Sequence, residues 1–234
     1  DVSGSMRAMD FRPNRLEAAK DVGIGFVNGR LDDRFGLVVF SGESFTQCPL
    51  TTDRAVVTNF LKEIDFGMIE DGTAIGMGLA TSVSRLKESK AKSKVVILLT
   101  DGVNNMGDIG PVTAAEIAMQ FGIRVYTIGV GSRGEAPYPV QDFYGRTVTR
   151  NMPVEIDEEV LKEVAQKTGG AYFRATDNNT LREIYRQIDQ MEKTRLDVKQ
   201  FSRKKEEYFP FLLAAMVLFI LELFLRYTWF RTIP

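Results

Sequence analysis

Asp1-Val2-Ser3-Gly4-Ser5-Met6 opens the chain, and two later segments, Asp71-Gly72-Thr73 and Leu99-Thr100-Asp101-Gly102, supply what that hexapeptide lacks. Asp1, Ser3 and Ser5 alternate at a spacing of two, which from a tight loop aims three oxygen-bearing side chains at one point. With Thr73 and Asp101 the set becomes two carboxylates and three hydroxyls. Such hard oxygen ligands suit Mg²⁺, with Mn²⁺ possible, and leave room for water or an incoming carboxylate to complete an octahedron. The competing reading is a group of N-caps and turns that holds no metal.

The segments around these residues alternate between strand and helix patterns. Pro13-Asn14-Arg15-Leu16 begins a helix with Leu16, Ala19, Gly23, Phe26 and Val27 on one face, ending near Asn28-Gly29. Arg34 to Phe40 and Glu43 to Leu50 read as a hairpin turning at Ser41-Gly42. Helices are predicted over Arg54–Ile64 and Thr73–Leu86, so Thr73 falls at a helix start, where free N–H groups favour oxygen ligands. Lys94 to Thr100 is continuous and β-branched, as a buried strand of a parallel sheet requires, and Asp101 lies at its carboxyl end. Pro111–Phe121, Glu158–Lys167 and Leu181–Met191 read as helices, Arg124–Val130 and Ala171–Ala175 as strands, and Tyr138 to Asp157 as a long connection forming an extra hairpin. The expected fold class is therefore α/β, a doubly wound, mostly parallel sheet flanked by helices, with the metal residues in the crevice at the strands' carboxyl ends.

Composition narrows the chemistry. The 234 residues carry 30 basic and 31 acidic side chains, a net charge of −1 that gives no electrostatic case for nucleic acid. Histidine is absent, which removes Ser-His-Asp and Cys-His catalysis and any imidazole zinc ligand. Cys48 is the single cysteine, so no intrachain disulfide can form. Gly129-Val130-Gly131-Ser132-Arg133-Gly134 matches the dinucleotide pattern G-x-G-x-x-G, but Pro137 and Pro139 follow where a helix would have to begin, which argues against nucleotide binding. The expectation is no enzymatic activity.

The set D-x-S-x-S, distant Thr and distant Asp resembles the metal-ion-dependent adhesion site (MIDAS) of the von Willebrand factor A domain family. That resemblance implies a Rossmann-like fold in which Ser3, Ser5 and Thr73 ligate the metal directly, and Asp1 and Asp101 do so directly or through water. Thr46-Gln47-Cys48-Pro49-Leu50-Thr51-Thr52-Asp53, the run Ile97 to Asn105, and Ala136-Pro137-Tyr138-Pro139-Val140-Gln141 are similar to the bacterial BatA aerotolerance-type proteins. This narrower resemblance implies a membrane-anchored A domain on the periplasmic side of a bacterial inner membrane, acting with other Bat proteins and a MoxR-type AAA+ ATPase. It also implies an apolar strand leading into Asp1, so the chain is read as an N-terminal truncation.

At the other end, Phe209 to Leu225 is apolar except for Glu222 and is flanked by Tyr208, Tyr227 and Trp229, which predicts a transmembrane helix over 208–227. Arg203, Lys204 and Lys205 before it nearly balance Arg226 and Arg231 after it, so charge does not set its orientation. The expected organisation is an A-like domain over 1–193, a charged linker over 194–207, the membrane helix and a short tail over 228–234. The expected function is a membrane-anchored module that binds a partner's exposed Asp or Glu through Mg²⁺. Alternatives are a membrane-assembly component driven by the terminal helix, and a chelatase-like co-subunit of an AAA+ ATPase.

Overall fold

Asn14 accepts the backbone N–H of Glu17 and starts α1, Arg15–Asn28, whose Leu16 packs with Val2, Met6, Val39 and Ile64. In this computed structural model the backbone is described for residues 1–201 and 208–228, and the side chains for 1–193 and 210–226. Contacts divide the chain into two units, Asp1–Gln190 and Met191–Pro234.

In the first unit β1, Phe35–Phe40, pairs antiparallel with β2, Ser44–Thr51. Asp53 accepts the N–H groups of Ala55 and Val56 and caps α2, Arg54–Glu63. Then follow α3, Ile75–Leu86, β3, Val95–Thr100, α4, Pro111–Gln120, and β4, Arg124–Val130. β5, Glu135–Gln141, and β6, Thr147–Pro153, form the extra hairpin, which begins three residues before the predicted Tyr138 because Ala136 is buried and pairs with Met152. α5, Glu158–Thr168, β7, Tyr172–Ala175, and the start of α6, Asn178–Phe201, complete the unit.

The parallel sheet is β3-β4-β7, and its neighbours in register are Leu99 with Ile128 and Ile128 with Phe173. Ile75, Leu79 and Val83 of α3, Ala114, Ala115 and Ala118 of α4, and Leu161 and Val164 of α5 cover it together with Val96, Leu98 and Val125. Alanines on α4 let that helix lie close. On α3, a Cβ at Gly76 would meet the Ile109 carbonyl oxygen at 1.9 Å and one at Gly78 the Phe40 ring at 2.7 Å, so both glycines are contact points rather than hinges.

Two parts of the expected fold class are corrected. The strands do not form one mostly parallel sheet: among the described residues, β1-β2 and β5-β6 are separate antiparallel pairs, and three of the seven strands run parallel. β1 and β3 do not pair with each other. Their ends approach the opening residues instead, since the Val2 N–H donates to Phe40 O at 2.9 Å and the Asp1 nitrogen lies 3.4 Å from Leu99 O. Leu37–Phe40 and Val96–Leu99 face a cavity of about 150 Å³ beneath them.

The transmembrane helix is the second correction. Among the described residues, no helix is long and apolar enough to cross a membrane. The second unit does contain α7, Tyr208–Thr228. Its uninterrupted apolar run, Phe209 to Leu221, ends at Glu222, with Arg226 one turn further; that run rises only ~20 Å, against ~30 Å of hydrocarbon. Its side chains from Phe211 to Leu221 are largely exposed. The expected linker and tail side chains, including Arg203, Lys204, Lys205, Trp229 and Arg231, lie outside the described residues, as do the side chains of Tyr208 and Tyr227.

Candidate metal centre

A short 3-10 turn, Gly4–Arg7, bends the chain directly after Ser3, and Met6 anchors it in the core. The turn brings three of the five predicted residues together. Asp1 Oδ1 accepts both the Ser3 N–H at 2.9 Å and the Ser3 hydroxyl at 2.6 Å. The Ser5 hydroxyl donates to Asp101 Oδ1 at 2.6 Å, and the Ser3 and Ser5 oxygens stand 3.0 Å apart. Asp1, Ser3, Ser5 and Asp101 thus form one chain of oxygens drawn from two distant segments. Thr100, one residue before Asp101, donates its hydroxyl to Asp1 Oδ2 and ties the far end of that chain to β3.

This arrangement tests whether a cation fits. Each serine hydroxyl has one proton, and both protons are directed at carboxylates. The 3.0 Å contact between the serine oxygens therefore sets lone pair against lone pair, a juxtaposition that a cation between them would relieve. The donor set is oxygen throughout, of the kind Mg²⁺ and Mn²⁺ prefer. It is poor in carboxylates: among the described residues no group of three or more His, Cys, Asp or Glu could hold a metal, so the hydroxyls are essential to the fit.

Thr73 enters from the loop before α3. It is buried, its N–H donates to Asn105 Oδ1 at 2.8 Å, and its carbonyl accepts the N–H groups of Asn105 and Met106. Gly102, next to Asp101, lies against its hydroxyl, where a Cβ would come within 3.3 Å of Oγ1. Thr73 precedes the helix by two residues rather than beginning it, because α3 starts at Ile75. Asn104 accepts the Gly76 N–H at 3.2 Å and fastens the Asp101 loop to that helix start.

Several residues here were not among the predicted ligands. Asp71 accepts the Gly4 N–H at 2.7 Å. Tyr138 of β5 donates its hydroxyl to Gly4 O at 2.7 Å, joining the hairpin to the same loop. Arg15, 3% exposed, donates Nη1–H to Asp101 Oδ2 at 2.7 Å, and its Nε and Nη2 grip Asp10 at 2.8 and 2.7 Å. Asp10 also accepts the Ser132 N–H at 2.7 Å. Burial alone would raise the Asp10 carboxyl, but its bonds from Arg15 and Ser132 hold it below the usual carboxylate range. Burial dominates at Asp101 and lifts its carboxyl above that range, against the pull of Arg15 and Ser5.

Gly129 to Gly134 does not open a helix. β4 ends at Val130 and the next element is the strand β5 from Glu135, so the loop leads into no helix, as its prolines predicted. Gly131 there has φ +149° and leaves room for the Arg15 guanidinium, which a Cβ would approach to 2.9 Å.

Comparison with known proteins bears on the family and the fold. A family model for the von Willebrand factor type A domain matches residues 1–187. The crystal structure of an aerotolerance-related membrane protein from Bacteroides fragilis is 32% identical, with a TM-score of 0.67, covering 80% of this chain and 94% of that one. BatB from Bacteroides thetaiotaomicron is 33% identical with a TM-score of 0.70, covering 82% and 96%. A mussel byssus protein, proximal thread matrix protein 1, has been solved with a zinc-occupied MIDAS motif; at 22% identity and a TM-score of 0.64, over 82% of this chain and 43% of that one, it shares the fold. Among relatives in sequence, an uncharacterised Borreliella burgdorferi protein is 30% identical over 94% of this chain and 65% of its own length. The chain spans less than two thirds of that relative, and 60% of a UPF0353 protein from Nocardia farcinica. With its oxygen-lined loop at the carboxyl end of β3 and a family match over most of its length, this chain belongs to the von Willebrand factor type A domain family.

Proposed function

We propose that the protein is a non-enzymatic, metal-dependent binding module, in which Asp1, Ser3, Ser5, Thr73 and Asp101 hold Mg²⁺ and an Asp or Glu of a partner protein completes its coordination. The observation that carries this is the pair of serine oxygens 3.0 Å apart with their protons directed at Asp1 and Asp101. Mn²⁺ satisfies the same oxygen set. Zinc occupies the motif of the mussel protein, but the absence of histidine and of any thiolate at this site favours the harder ion here.

The likeness to an aerotolerance-related membrane protein and to BatB supports work alongside other Bat proteins, with a MoxR-type AAA+ ATPase, at a bacterial membrane. The test is surface plasmon resonance of the full chain against the Bat proteins of its own organism, in Mg²⁺ and again in EDTA. Binding that EDTA and Asp101→Ala both abolish is the expected result. Binding that neither affects contradicts the proposal.

A further inference from the structure

Arg15 lies in the first turn of α1, far in sequence from Asp101, and its guanidinium is buried between two carboxylates. A charge removed from water is costly unless its partners are well placed, and here all three bonded nitrogens have an acceptor within 2.8 Å. The planar fork fixes the directions. Nε and Nη2 face Asp10, which leaves Nη1 to face Asp101.

Asp10 is itself fixed by the Ser132 N–H, and Gly131 packs on the guanidinium, so Arg15 has little freedom to withdraw. Its effect on Asp101 is specific. Oδ2 is occupied by Arg15, and Oδ1 alone is turned towards Ser5 and the oxygen chain.

We infer that Arg15 is the positioning residue that makes Asp101 a one-oxygen donor to the metal centre and thereby selects a small octahedral cation over Ca²⁺. Resting on the Mg²⁺ reading above, the inference adds a residue outside the predicted ligand set. Ca²⁺ takes six to eight oxygens and commonly engages a carboxylate through both of them, whereas Mg²⁺ requires a compact octahedron and is served by single oxygens. With Oδ2 held on the buried guanidinium and Oδ1 on Ser5, the carboxylate is oriented to offer the oxygen chain one oxygen, and turning it to chelate through both costs the Arg15 bond. Removing Arg15 frees Oδ2 and relaxes that discrimination.

The experiment is calorimetric titration of the full chain with Mg²⁺ and, separately, with Ca²⁺, for wild type, Arg15→Lys and the double variant Arg15→Gln/Asp10→Asn. The double variant removes the guanidinium together with the other carboxylate it neutralises, so that Asp10 is not left as an unpaired buried charge. Arg15→Lys keeps the positive charge but not the fork, and serves if the double variant does not fold. Loss of an ordering group behind a ligand typically changes metal affinity ~10-fold or more, and the expected result is a Ca²⁺-to-Mg²⁺ affinity ratio about that much higher in the double variant, with Arg15→Lys between it and wild type. A merely structural role would weaken both ions together, so an unchanged ratio in folded variants overturns the inference while leaving the metal reading intact. Absence of Mg²⁺ binding in wild type overturns the metal reading itself, and this assignment with it.

Discussion

Gly4 and Asp71 stand 67 residues apart in sequence, and the Gly4 N–H donates to the Asp71 carboxylate at 2.7 Å. Asp71 also accepts the Gly72 N–H at 3.1 Å, so one exposed side chain ties the loop bearing Ser3 and Ser5 to the segment that ends in Thr73. Replacing Asp71 by Ala should weaken Mg²⁺ binding ~10-fold, as the loss of a group that orients ligands does elsewhere. Asp71→Asn keeps an acceptor oxygen and should recover most of that loss in the same titration. Equal affinities for wild type and Asp71→Ala would show that the clamp is dispensable.

Gly76 gives a prediction about packing. A Cβ there would lie 1.9 Å from the backbone oxygen of Ile109, and backbone cannot swing aside as a side chain can. Gly76→Ala should cost ~2–3 kcal/mol through overpacking between α3 and the segment leading into α4. Urea unfolding followed by circular dichroism measures it. A cost below about 0.5 kcal/mol, the range of ordinary surface substitutions, would contradict the tight approach.

Tyr138 is the hairpin's hydroxyl link to the loop bearing Ser3 and Ser5, through Gly4 O at 2.7 Å. Tyr138→Phe removes that donor and leaves the ring, so the expected loss is ~1 kcal/mol. It should appear locally, as faster amide hydrogen exchange in β5 and β6, with α3 to α5 unaffected. Uniform acceleration across the domain would place the effect in global stability instead.

Asp10 sets a pH dependence. Its carboxyl is held below the ordinary value of 3.8 in the folded chain, so the folded state binds this proton less readily than the unfolded one. The stability it contributes is present above the unfolded value and is lost as pH falls through the depressed one. Asp10→Asn removes that contribution, so the gap between wild type and variant in urea unfolding should be wide at about pH 6 and narrower at about pH 3. A gap that stays constant would mean Asp10 acts through shape alone.

Much of this molecule was legible from residue patterns, and the exceptions have physical causes. The continuous apolar run Val95–Leu99 reads as a parallel strand because both of its faces are covered, and the prolines after Gly134 correctly argue against a helix. A spacing of two in a loop aims Asp1, Ser3 and Ser5 together, Asp101 follows from its place at the carboxyl end of an apolar strand, and the fold joins the two segments through the Ser5–Asp101 hydrogen bond.

Arg15 carried no such signal. An arginine in the first turn of an amphipathic helix looks like a solvated charge, and only the three-dimensional fold brings Asp10 and Asp101 to its two sides. Asp71 and Thr100 lay inside the quoted motifs, but nothing in their spacing distinguishes a residue that orients a ligand from one that contacts the ion. Strand–helix alternation is a strong cue to one mostly parallel sheet, but β1-β2 and β5-β6, both legible as hairpins, lie outside that alternation and pair antiparallel. At α7, Glu222 interrupts the apolar stretch Phe209 to Leu225, and the run before it is too short to cross a membrane.

The central claim is that these oxygens hold a divalent cation. Its most direct test is calorimetric titration of the full chain with Mg²⁺, comparing wild type with Asp101→Ala, and with Ser5→Ala as a variant that leaves the Arg15 ion pair in place. Saturable binding near one ion per chain in wild type, lost in Asp101→Ala and strongly weakened in Ser5→Ala, is the predicted result. Folded wild-type protein that takes up no Mg²⁺ or Mn²⁺, or that binds them equally well in all three forms, would contradict the account.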